Sequence, residues 1–163
     1  MKQFLQMLIL QLLVLGLVTE VSHAQKGNEV RIAVLELSNR VGLDAESVSY
    51  LTSILREQLS LSLSEQHILL DKENITTLLP PDKKIEDCVG ECAVDTGRLL
   101  GVHYIVTGDL IKFAGSYRVI VKLHKTTTGK LLAVEREQSS SLDGLEKNIQ
   151  KAGGKIVRMI LGI

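Results

Sequence analysis

The chain has 163 residues and a mass of 17.9 kDa, room for one hydrophobic core but not for two domains once an export segment is set aside. Lysine plus arginine equals aspartate plus glutamate at 19 each, which disfavours a nucleic-acid protein built on a strongly basic surface. Aromatic residues make up only 3% and tryptophan is absent, leaving few rings to stack on bases or sugars, while 45% hydrophobic residues argue for a packed globule rather than a disordered chain.

Lys2 precedes an apolar run from Phe4 to Val18 that only Gln6, Gln11 and Gly16 interrupt. It is shorter than the roughly 20 predominantly apolar residues that a bilayer span needs, and so fits the core of an export signal. Ser22-His23-Ala24 then puts small residues at the two positions a signal peptidase reads. Cleavage after Ala24 is expected, leaving residues 25–163 as a single periplasmic or secreted domain without an integral membrane span. An uncleaved anchor is the alternative. No cysteine follows the run to carry a lipid.

Val30 to Leu37 is apolar and β-branched with little interruption, which predicts a strand covered on both faces. Asp44 can cap a helix whose Val48, Leu51, Leu55 and Leu59 follow three-and-four spacing. A short strand over His67 to Leu70 comes next. Asp71 opens a brief helix through Leu79, which Pro80-Pro81 stops, and Pro80 to Glu91 reads as a charged surface loop. Cys92 to Leu100 predicts a helix ended by Gly101.

Val102 to Phe113 and Tyr117 to Lys125 predict strands joined at Ala114-Gly115-Ser116, and Thr126-Thr127-Thr128-Gly129 turns the chain into a strand over Lys130 to Glu137. Alternation places Tyr117, Val119, Val121 and Leu123 on one face. Arg118, Ile120, Lys122 and His124 share the other, which is expected to be solvated. Leu142, Leu145, Ile149, Ile156 and Ile160 form the stripe of a terminal helix. Gly153-Gly154 interrupts it, at about 0.5–1 kcal/mol per glycine relative to alanine. Close approach of this helix to the sheet is the simplest compensation; a kink or a partner contact is the other. The order β-α-β-α-β-β-β-α predicts an α/β fold, a two-layer sandwich with a mixed sheet of about five strands.

Cys88 and Cys92 are the only thiols, and in an exported chain such a pair is expected to oxidise. Regular helical geometry would hold their Cβ atoms too far apart, so Cys88 should precede the helix and Cys92 lie in its first turn. Redox activity and free or metal-bound thiols are weaker readings. Three residues separate the pair where thioredoxin-like chemistry uses two, and no second Cys or His pair completes a zinc site. G-x-S-x-G, H-E-x-x-H and G-x-G-x-x-G do not occur, so no cofactor is implied. His67, His103 and His124 are isolated, and Asp95 and Asp109 are single acids.

The runs Ile32-Ala33-Val34-Leu35-Glu36-Leu37 and Leu51-Thr52 through Leu59, and the stretch from Cys88 to Leu132 containing V-D-T-G-R-L-L-G-V-H-Y-I-V-T-G-D-L, resemble the periplasmic TolB amino-terminal-domain-like group. That group takes in CsgG-like modules and activators of penicillin-binding proteins. The resemblance covers nearly the whole mature chain and implies an α/β envelope module. It does not carry over pore formation or membrane anchoring, because the chain lacks the lipidated cysteine, the propeller and any insertion able to supply transmembrane hairpins. The expected function is a non-enzymatic protein-interaction module of cell-envelope assembly or secretion. Its partners would be envelope proteins or a second copy, met through a sheet edge or the face around Arg118, Lys122 and His124. The competing reading is an enzyme or small-ligand protein whose site gathers His103, Asp109 and His124. A membrane-held protein with an uncleaved first segment is the third.

Overall fold

The computed structural model describes residues 29–78 and 90–163. The export segment and its cleavage point, Pro80-Pro81, most of the charged loop, and Cys88 lie outside these residues. Six strands and four helices follow in the order β1 (Val30–Val34), β2 (Ser38–Arg40), α1 (Ala45–Ser62), β3 (His67–Leu69), α2 (Lys72–Leu78), α3 (Glu91–Leu99), β4 (Tyr104–Phe113), β5 (Ser116–Lys125), β6 (Leu131–Ser139) and α4 (Gly144–Leu161). The sheet runs β3-β1-β4-β5-β6, with β2 also paired to β4. β1 is parallel to β3 and β4, whereas β4, β5 and β6 form an antiparallel meander. The α/β class and the mixed sheet are as the sequence predicts.

The sixth strand arises because Val30 to Leu37 is not one continuous strand. β1 pairs Val34 with Val106 and β2 pairs Ser38 with Asp109, so the first segment spends one residue more than β4 does over the same distance. At the break, Leu37 turns its backbone N–H away from the ladder to the Thr52 hydroxyl of α1, 3.1 Å away. Its side chain enters the core opposite Gly108.

One face of the sheet carries α1 and α4. Asp44 caps α1 as expected, accepting from the Ser47 N–H at 2.8 Å, and Val48, Leu51, Leu55 and Leu59 are buried against Ile32, Val106 and Leu123. Each such fully buried aliphatic side chain contributes about 1.5–3 kcal/mol. The two helices run side by side in the same direction, Tyr50 reaching Glu146 near one end and Leu55 meeting Gly153 further along. This corrects the expectation that the paired glycines bring α4 close to the sheet. A Cβ at position 153 would lie 3.0 Å from Gln58 and 3.1 Å from Leu55, both on α1, whereas Gly154 meets nothing nearer than 3.9 Å.

Among the described residues the other face is covered at one end only. There α2 and α3 close a second core in which Ala33, Leu35 and Ile105 of the sheet side meet Ile75, Ala93 and Leu100. These helices add a partial third layer to the two expected. α3 seats tightly because Gly97 faces Thr126 and Ile105, 2.5 and 3.3 Å from where its Cβ would be. It ends at Gly101, whose φ of 64° is the left-handed conformation predicted for a helix terminator. Ala114 and Gly115, both at positive φ, close the β4–β5 hairpin as a two-residue turn.

Candidate functional site

Beyond α2 and α3 the second sheet face is open among the described residues, and the register of the strands maps its side chains. One row across β2, β4, β5 and β6 reads Arg40, Ile111, Arg118, Gln138. The next reads Ser38, Asp109, Ile120, Arg136, and the third Thr107, Lys122, Val134. His124 follows on β5 opposite Ile105. Arg118, Lys122 and His124 therefore do share a face, but not a common environment.

Lys122 is committed within the molecule: its Nζ donates to Asp109 Oδ2 at 2.8 Å, with the lysine side chain 32% exposed and the carboxylate 10%. Arg118 lies over the ring of Phe113, its guanidinium carbon 4.9 Å from the centroid, while the ring itself is 62% exposed. Its Nε is buried and meets no partner. His124 departs most from expectation. Only 7% exposed, it sits beside the α3 core, so the solvated face stops at Lys122. Neither of its ring nitrogens finds a partner, and burial, reinforced by the charge of Lys122, pulls its pKa below the usual histidine value.

The residues of the competing enzymatic reading are not brought together. His103 accepts the Arg31 backbone N–H at its Nδ1, 3.0 Å away. Asp109 is six residues further along an extended segment, about 20 Å away, and is held by Lys122. His124 pairs in register with Ile105 instead of either. Among the described residues no group of three or more His, Cys, Asp or Glu side chains is placed to hold a metal ion. No helix among them is long and apolar enough to cross a membrane. Cys92 stands in the first turn of α3, directly after Gly90 and Glu91.

Sequence reasoning missed Arg40, Arg136 and Phe113 as members of the face. Alternation in Val134-Glu135-Arg136-Glu137-Gln138 already separates the arginine from the two glutamates. The structure shows why: Glu137 accepts from Lys151 and Lys155 of α4, each at 2.8 Å, and these bonds hold its carboxyl below the usual range. Glu135 meets Lys155 at 3.1 Å. The acids of β6 thus serve the helical face and leave Arg136 on the open one. A separate groove of about 280 Å³ opens where α1 and α4 begin, lined by Leu43, Tyr50, Leu142 and Glu146 among others. Glu146 raises the pKa of the Tyr50 hydroxyl that donates to it.

No protein-family model matches the chain, and no curated protein is similar to it in sequence. Its fold does have counterparts among solved structures. The LpoB C-terminal domain of Escherichia coli superimposes with a TM-score of 0.54 at 18% identity, over 69% of this chain and 84% of that one. The Salmonella enterica LpoB C-terminal domain gives 0.53 at 16%, over 70% and 84%. Lipoprotein GNA1162 of Neisseria meningitidis gives 0.52 at 12%, over 78% and 96%. At these identities the likeness is one of fold. It bears out the coarser part of the resemblance noted in the sequence, an LpoB-like fold, and leaves the TolB-like and CsgG-like parts expectations.

Proposed function

We propose that this protein is an exported, non-enzymatic module of the cell envelope that binds another protein through the open half of its sheet. The observation that carries the reading is that this face combines arginines, an exposed phenylalanine and partly buried aliphatic residues, while the polar residues able to support catalysis stay apart. Likeness in fold to LpoB domains and to a lipoprotein supports an envelope setting. Arg118 and Lys122 belong to the docking face; His124 supports it from below. Cys88 and Cys92 form a local disulfide that fastens the start of α3. Crosslinking in the native envelope tests the binding role: adducts larger than the monomer are expected, and recovery of monomer alone would overturn it. Intact mass of the exported protein tests the rest, through loss of residues 1–24 and of two hydrogens.

A further inference from the structure

Resting on that reading, we infer the chemistry of the partner: an acidic protein segment whose carboxylates are received by Arg40, Arg118 and Arg136. None of the three makes an ion pair. This is a local feature and not part of a basic excess, since the whole chain carries 19 cationic and 19 acidic side chains. Among the described residues the only carboxylate that the strand register places on the open face, that of Asp109, is bonded to Lys122, which leaves the guanidinium groups as the uncompensated charge there.

Their placement follows from the register. Arg40 and Arg118 occupy the same row on strands flanking β4, so their backbones stand about 10 Å apart. Arg136 is the diagonal neighbour of Arg118 on β6, about 7–8 Å away. Ile111 and Ile120 fill the row positions between them, and Phe113 holds the plane of Arg118. A guanidinium fork matches a carboxylate with two parallel hydrogen bonds, and apolar neighbours strengthen those bonds by excluding water. The fitting partner therefore presents two or more carboxylates around an apolar side chain that covers the isoleucines. A polyanion such as nucleic acid would gain little from those isoleucines, and the neutral chain offers it no wider basic field.

The test uses the full chain in the cells that produce it, with the photoreactive substitution Gln138→p-benzoylphenylalanine beside Arg118 and, as a control, Lys147→p-benzoylphenylalanine on α4. A protein adduct is expected from position 138 and not from position 147, and mapping should place the crosslink within a segment rich in Asp or Glu. Arg118→Glu combined with Arg136→Glu should reduce the adduct by about tenfold or more, since unlike-charge contacts become like-charge ones. Arg118→Lys with Arg136→Lys should retain part of it. Thermal melting of each variant checks that it is folded. A protein adduct that survives charge reversal in a folded variant, or maps to a segment without acids, overturns the acidic-partner inference alone, whereas an adduct that proves to be a lipid overturns the protein-docking role of this face with it. No adduct from position 138, with or without one from position 147, overturns the docking role of this face as well.

Discussion

Leu37 and Gly108 share one volume: a Cβ at position 108 would overlap Leu37 Cδ2 and come within 3.1 Å of the Ile120 carbonyl oxygen. Leu37 is at the break between β1 and β2, and Gly108 is in the middle of β4 between the residues that pair with those strands. The glycine therefore admits the side chain that the shifted register drives into the core. Gly108→Ala should destabilise the fold by about 1–3 kcal/mol, the range for overpacking a filled interior, and thermal melting will show it. An unchanged melting temperature would mean that Leu37 has room to move.

Thr52 ties the same break to α1. It is fully buried, donates to the Val48 carbonyl at 2.8 Å and accepts the Leu37 N–H at 3.1 Å. Thr52→Val keeps the shape but strands that N–H without an acceptor, at a cost of about 1–3 kcal/mol. Thr52→Ser keeps the acceptor and loses only a methyl group, so its cost should be closer to the 0.8 kcal/mol or so of one buried methylene. Chemical denaturation of both variants should rank valine below serine.

The two glycines of α4 should respond in opposite directions. At Gly154 a methyl group meets only ordinary packing, so Gly154→Ala gains the helical preference of alanine, about 0.5–1 kcal/mol. At Gly153 the same methyl presses on Leu55, which is fully buried and has nowhere to retreat. Overpacking of about 1–3 kcal/mol then exceeds the propensity gain. Melting temperatures above wild type for alanine at 154 and below it for alanine at 153 are the expected pair.

His124 should make the fold sensitive to mild acid. Its folded pKa lies below the unfolded value of 6.5, so the unfolded chain takes up the proton first as pH falls. The stability it contributes is complete above pH 6.5 and declines as pH drops from there towards the folded pKa. His124→Leu replaces two unpartnered ring nitrogens with hydrocarbon and should flatten that slope. Denaturation midpoints for both proteins across pH 7.5 to 5 decide it; parallel curves would show that the imidazole is not the group responsible.

The elements themselves were readable from local patterns. Asp44 before a three-and-four stripe specifies a capped helix, and positive φ at Gly101 and Gly115 follows from a residue type suited to it, whereas Ala114 takes its positive φ from the turn and not from its own preference. Alternation along β5 correctly sorts Arg118 and Lys122 from Val119 and Val121, because the pleat has a period of two wherever the strand lies. The charge balance and the absence of catalytic motifs likewise needed only composition and spacing.

What only the tertiary structure decided is how far each face is covered and which strands are neighbours. Strand periodicity says that His124 and Lys122 point the same way, yet α3 and its core end between them, so one is buried and the other reaches solvent. The break after β1 depends on Leu37 finding both Thr52 and Gly108, contacts whose partners lie far away in the chain. The same holds for Arg40, Arg118 and Arg136. Each is an ordinary charged residue in its own segment, and they become one surface because β2 and β5 both pair with β4 and β6 pairs with β5. Local sequence sets conformation through short-range sterics and hydrogen bonding, whereas a site built across strands exists only once the chain has closed on itself.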